Sequence, residues 1–172
     1  YGQQKEIATE ESVPFPITAY SKANRSAEVG VLPLNDKNFT VTVLRFSSIY
    51  GTSPRMRFDL AVNSMVLELF KTKKVIVKGK NNQRPFVHIK DAVRAYTMII
   101  TAPKEDIEGQ IFNVGSEEQN FIIAKLAKEV ANSIEIKSNI EYGDTNDHRS
   151  YAASFEKIRN AVGFKPKFTV KD

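Results

Sequence analysis

The chain has 172 residues, 41% hydrophobic and 26% charged, with a formal net charge of +5. That is enough chain for the buried core of one large or two small domains. The absence of cysteine excludes disulfides, thiol catalysis and cysteine-ligated metal, and it agrees with a cytoplasmic location. No apolar run approaches the length of a bilayer span and the first residues lack a charged-then-apolar leader, so no membrane partner is expected. The basic balance favours an anionic partner such as a phosphate or nucleotide. The lysines are scattered, with only short clusters such as KTKK at 71–74, which reads as solvated surface.

Residues 1–13 are polar and loop-like. Pro14 and Pro16 lead into Thr18, an N-cap residue, and a helix is expected over 19–31. Phe39, Val41 and Val43 alternate with β-branched neighbours and predict a buried strand that ends near Arg45, closed by a turn over 51–54. Leu60, Val62, Met65, Val66 and Leu69 recur at helical spacing and predict an amphipathic helix over 59–70. Asp59 and Asn63, one turn apart, are expected to face outward from that stripe.

A short strand is expected at 75–77, a polar loop over 79–83 and an extended piece at 86–89. A helix over 91–101 follows, with Asp91 as its N-cap, and it stops before Pro103. A strand is read at 111–114, a helix over 120–134 and an extended stretch over 134–142. Ser154 is expected to cap a last helix that runs to Val162 and ends at Gly163. Strands that alternate with helices define an α/β protein with some parallel sheet.

Several local patterns, taken in order, resemble the extended short-chain dehydrogenase/reductase family, the NAD-dependent nucleotide-sugar epimerases and dehydratases. They are Tyr1-Gly2, PITAY at 16–20 with Glu28, LRFSSIYG at 44–51, QRPFVHIKDAVRA at 83–95 and GQIFNVGS at 109–116. DHRSYAAS with EKIRNAVGFKP completes the set. The resemblance covers nearly the whole chain but only the later half or so of such an enzyme, so the chain reads as the later part of a longer polypeptide. It implies a partial Rossmann-like parallel sheet with a smaller mixed α/β substrate-binding region. Residues 1–53 then belong to the NAD-binding domain and 54–172 mainly to the substrate-binding domain, with 86–115 partly returning to the Rossmann sheet.

The resemblance also assigns roles. It places Tyr20 at the catalytic position and makes NAD the cofactor, with Tyr20, Asn24 and Phe46 on the cofactor side. It places Ser48, Asn63, Arg84 and Arg149 against a nucleotide-sugar substrate, the two arginines on its diphosphate. A planar, permanently charged guanidinium suits that anion. A homodimer built on the catalytic helix is expected.

A tyrosine that takes a proton from a sugar hydroxyl must spend time as phenolate, and its unperturbed pKa is about 10. A cation one helical turn away favours the charged form. The family carries lysine there, where this chain has Asn24, and Lys22 lies about 200° around the helix from Tyr20. Ser48 departs likewise from the usual asparagine, and Ala152 from a frequent arginine. None of the eight glycines forms G-x-G-x-x-G or G-x-x-G-x-x-G.

His88 reads as a packing histidine, since two histidines this far apart give no metal-ligand spacing. Arg45 reads as structural. The first expectation is thus the later portion of an NAD-dependent epimerase or dehydratase acting on a UDP- or dTDP-hexose through a 4-keto intermediate, with this chain alone inactive. A non-catalytic nucleotide-sugar-binding module is the alternative. A basic nucleic-acid-binding domain ranks last, and no recognition motif supports it.

Overall fold

Parallel pairing between strands far apart in sequence organises the chain. The computed structural model describes residues 1–134, 137–147 and 149–172. Helix α1 (Ala19–Val31) starts where expected, because Thr18 and Ser21 cap each other: the Ser21 amide donates to Thr18 Oγ1 at 3.1 Å and the Thr18 amide to Ser21 Oγ at 3.0 Å. Strand β1 (Thr42–Phe46) follows, then β2 (Ser48–Tyr50), α2 (Ala61–Thr72), β3 (Lys74–Lys78) and β4 (Gln83–His88). Helix α3 (Ile89–Thr101), the single-turn α4 (Lys104–Ile107) and β5 (Gln110–Val114) come next. After them stand β6 (Asn120–Ile122), α5 (Ile123–Ser133), β7 (Asn139–Gly143) and α6 (Glu156–Val162).

β1 pairs in parallel with β5, β2 with β4 and β3 with β7, while β6 adds to β4 in antiparallel sense. The protein is therefore mixed α/β with parallel strand pairs, the class read from the alternation of elements. Two apolar cores sit on these sheets. One gathers Leu69 of α2, Val75 and Val77 of β3, Phe86 of β4 and Leu126 of α5. The other gathers Ile99 of α3, Phe112 and Val114 of β5, and Ile158 of α6 with Phe164.

Residues 1–13 are stitched to the far end of the chain through isolated parallel bridges, Gln3 to Ser150 and Ala8 to Ala153. Gly51 takes φ +109° against His88, where a Cβ would stand 2.5 Å from the imidazole Nε2, so the turn after β2 needs glycine. Gly163 ends α6 in the left-handed conformation at φ +69°, as its position after the helix predicts.

Several expectations are corrected. Asn120–Ile122 is a strand, not the first turn of a helix, because it pairs with Gln83–Pro85 before α5 begins. His88, not Asp91, is the N-cap of α3: its imidazole accepts from the Lys90 amide. Asp91 is fully buried one turn in and accepts from the Lys167 and Phe168 amides, both at 2.9 Å. The expected strand begins only at Thr42, with Phe39 54% exposed. Phe155 is the N-cap of α6, and Ser154 Oγ accepts from the Glu156 amide at 3.4 Å. Of the extended stretch expected over 134–142, β7 forms the later half, and residues 135 and 136 lie outside the described residues.

Candidate functional site

Two cavities flank β2, and Ile49 lines both. The first is a cleft of about 680 Å³ between α1 and the β1–β2 run, lined among others by Tyr20, Asn24, Glu28, Arg45, Phe46 and Tyr96. The second, of about 550 Å³, is lined among others by Ser48, Lys78, Asn82, Arg84, Asp147 and Arg149.

Tyr20 stands in the first turn of α1 and is 77% exposed, with Asn24 exposed one turn further along the same face. The i,i+4 spacing of the two residues puts both on the cleft wall, and Lys22 is not among the lining residues. In the loop after β2, Arg57 pairs with the exposed Asp59, Nη2 to Oδ2 at 2.6 Å. Phe46 ends β1 with its ring 4.9 Å from that of Tyr96.

Beneath the cleft, one network ties four segments together. Arg45 donates from Nε to Glu28 Oε2 at 3.0 Å, from Nη2 to Glu28 Oε1 at 2.5 Å and from Nη1 to Tyr1 Oη at 2.7 Å. Tyr1 Oη donates to Asn113 Oδ1 at 2.6 Å, and the Asn113 amide donates to Glu10 Oε1 at 2.7 Å. Burial pushes the Tyr1 phenol upward. Burial also works to raise Glu28, but Arg45 and Arg25 outweigh it and hold the carboxyl below its ordinary 4.5. Arg45 is thus structural, as its sequence context implies. Its partners Glu10 and Tyr1 lie 35 and 44 residues away, so local pattern could not have found them.

In the second cavity the two sequence-predicted arginines meet. Arg84 on β4 donates from Nη2 to Asp147 Oδ2 at 2.9 Å and from Nε to the Arg149 carbonyl at 3.1 Å. Arg149 binds the same carboxylate with both arms of its fork, Nε to Oδ1 at 2.8 Å and Nη2 to Oδ2 at 2.7 Å. The Arg149 hydrogen bonds are the largest influence that drives the Asp147 carboxyl down to about 2. Burial lowers Arg84, and the Asp147 charge opposes it. Asp147 was not singled out from the sequence, although its D-x-R spacing with Arg149 is a local signal for a fork–carboxylate contact.

Ser48 opens β2 and lines this second cavity. Asn63 does not line either cavity. It is 8% exposed, not outward-facing as its place beside the apolar stripe suggested. Its amide accepts from the Gly51 N–H and donates to the Arg57 carbonyl, both at 3.1 Å. It therefore holds the 51–57 loop, which in turn carries Arg57. His88 packs between Tyr50 and Phe168, as a satisfied histidine should. Among the described residues no cluster of His, Asp or Glu forms a metal site, and no helix is long and apolar enough to cross a membrane.

The parallel-stranded α/β framework thus sets a tyrosine helix beside one cavity and converging arginines in the next. The chain belongs to the NAD dependent epimerase/dehydratase family, whose model matches residues 1–115. It is 30% identical over 112 residues to a UDP-D-apiose/UDP-D-xylose synthase of Oryza sativa subsp. japonica, covering 56% of this chain and 28% of that protein. It is 25% identical over 199 aligned positions to an uncharacterized 37.6 kDa protein of Escherichia coli O111:H-, covering all of this chain and 57% of that one. The chain thus spans little more than half the length of its full-coverage relative.

Solved structures share the fold. MoeE5 in complex with UDP-glucuronic acid and NAD superposes with a TM-score of 0.85 at 21% identity, over 99% of this chain and 57% of its own. The UDP-glucose 4-epimerase of Thermotoga maritima with UDP-glucose gives 0.85 at 20%, over 99% and 56%. The dTDP-glucose 4,6-dehydratase of Bacillus anthracis str. Ames with NAD gives 0.82 at 24%, over 99% and 54%.

NAD is the cofactor expected of the family. The residues present fit one end of it. Tyr20 and Asn24 offer a hydroxyl and an amide along a cleft that also holds the Phe46 and Tyr96 rings, which suits a planar ring and its ribose. A diphosphate needs free cations or a run of backbone N–H groups. In this cleft Arg25 and Arg45 share Glu28, whose side chain is only 10% exposed and so cannot turn away into water, and the residues here do not fit that part of the cofactor.

Proposed function

We propose that this chain forms the substrate-binding portion of an NAD-dependent nucleotide-sugar epimerase or dehydratase. In this reading residues 1–53 carry the catalytic helix and strand, and 54–172 mainly hold the substrate. The observation that carries it is the convergence of Arg84 and Arg149 on one wall of a 550 Å³ cavity that adjoins the Tyr20 cleft at Ile49. Two planar cations at one point suit a diphosphate. The nucleotide then occupies the arginine cavity and the sugar reaches past Ile49 towards Tyr20.

NAD supplies the hydride acceptor and donor for the sugar carbon when bound. The Tyr20 oxygen, as phenolate, would accept the proton of the sugar hydroxyl, with Phe46 lining the Tyr20 cleft and Ser48 the arginine cavity. Return of hydride to the opposite face would invert the carbon, whereas elimination beside the keto group would dehydrate the sugar. With Asn24 at the position where the family carries lysine, the cleft wall lacks a cation one turn on from Tyr20. A second reading, a nucleotide-sugar-binding module without turnover, is favoured by Asn24 itself.

Calorimetric titration of the chain with UDP-glucose and dTDP-glucose tests the shared part of both readings. Saturable binding with a preference for one nucleotide is expected, and Arg84→Ala should weaken it by about tenfold or more. Absence of binding to either compound, in a folded sample, would overturn both readings. Turnover assayed with NAD then separates them.

A further inference from the structure

We propose that the Asp147 carboxylate is a built-in stand-in for the ligand anion, holding the point where Arg84 and Arg149 converge until a phosphate oxygen displaces it. The proposal rests on the reading that this cavity takes a nucleotide diphosphate. Asp147 Oδ2 accepts from Nη2 of both guanidiniums, at 2.9 and 2.7 Å. One oxygen bonded by two guanidiniums is the coordination a phosphate oxygen takes between arginines. The arginines therefore already meet an anion where the ligand's anion would bind.

Charge separates a stand-in from a permanent component of the site. Two guanidiniums match the two charges of a sugar-nucleotide diphosphate one for one once Asp147 has turned away. With Asp147 in place, the same groups carry one negative charge too many. Like charges forced together in a partly dry cavity repel strongly. The carboxyl is ionised across the working pH range, so protonation does not remove the conflict.

The loop that carries Asp147 is built to yield. Its described residues, 144–147 and 149, make no backbone-to-backbone hydrogen bonds outside the helices and strands. It is held through side chains, with Asn82 Nδ2 donating to the Asp147 carbonyl at 2.7 Å and Thr145 Oγ1 accepting from the Asp147 amide at 3.0 Å. The Asp147 side chain is 36% exposed, so it can turn outward into water. Arg84 is held apart from the carboxylate as well, through Nε on the Arg149 carbonyl, so its direction survives the loss of Asp147. Nη1 of each arginine has no partner among the described residues and adds a donor for the incoming anion.

The test is calorimetric titration of the wild-type chain and Asp147→Asn with UDP and with inorganic pyrophosphate. The asparagine keeps the shape and removes the competing charge, so the variant should bind both probes more tightly, by on the order of tenfold. Equal or weaker binding in the variant, with the wild type still binding, would mean that Asp147 only positions the arginines. That outcome overturns the proposal and leaves the reading of the cavity standing. No binding of either probe by either protein overturns both. If the variant does not fold, the wild type answers alone through the arginine side-chain N–H resonances. Saturating pyrophosphate should shift the Arg149 Nε–H signal, which reports the bond to Asp147, and an unmoved signal overturns the proposal.

Discussion

Arg45 and Glu28 meet in a two-point ion pair, Nε to Oε2 at 3.0 Å and Nη2 to Oε1 at 2.5 Å, that joins the first strand to the first helix. The side chains are only 14% and 10% exposed, whereas no residue of α1 is otherwise fully buried. The helix that carries Tyr20 and Asn24 is therefore docked largely by this charge pair. Apolar packing contributes little there.

Glu28→Gln is expected to destabilise the chain by about 1–3 kcal/mol at neutral pH, since it leaves a largely buried guanidinium under-neutralised. The carboxyl of Glu28 lies below its ordinary 4.5 in the folded chain. Its contribution is accordingly complete above that value and is lost as pH falls through the lower folded-state value. Urea melts of wild type and variant should differ at pH 7 and draw together as pH falls below 4.5; a gap that did not narrow at all as the solution was acidified would refute the pair's role.

Asp91→Ala removes the acceptor of the Lys167 and Phe168 amides and the partner of Arg94. A loss of about 2–4 kcal/mol is expected from unpaired buried donors. The effect should centre on the last residues of the chain. Hydrogen exchange at Lys167 and Phe168 should accelerate more than at the β5 amides, and uniform acceleration would count against a local strap.

Leu69 and Phe70 are neighbours on α2 with opposite fates, 0% and 58% exposed. Leu69→Ala should cost about 2–5 kcal/mol through the cavity it leaves. Phe70→Ala should cost under about 1 kcal/mol, as exposed substitutions do. Denaturant titration decides it, and equal losses would mean that the helix face is misassigned.

Asn24→Lys places a cation one turn from Tyr20, in the first cleft, away from the arginine cavity. Affinity for UDP should therefore stay within about twofold of wild type, a difference of under about 0.5 kcal/mol. Calorimetry checks it. A tenfold change would mean that the two cavities are energetically coupled through β2.

Sequence by itself determined the class of fold and the longer helices. Thr18 and Ser21 announce α1 because capping is a contact between residues three apart, and the stripe Val62, Met65, Leu69 announces α2 because its period is that of the helix. Arg84 and Arg149 could be nominated from their motifs. Tertiary structure alone decided what they do to each other. They are 65 residues apart, and only the pairing of β3 with β7, followed by the return of the chain to β4, brings both onto Asp147. Asn63 was misjudged for the same reason: periodicity says which side of a helix is apolar, but not that a loop closes over the polar side and buries it. Asn120–Ile122 likewise has a helical pattern and becomes a strand because the edge of β4 offers it hydrogen bonds. Local signals encode local geometry, whereas the site is made of contacts whose partners are chosen by the path of the whole chain.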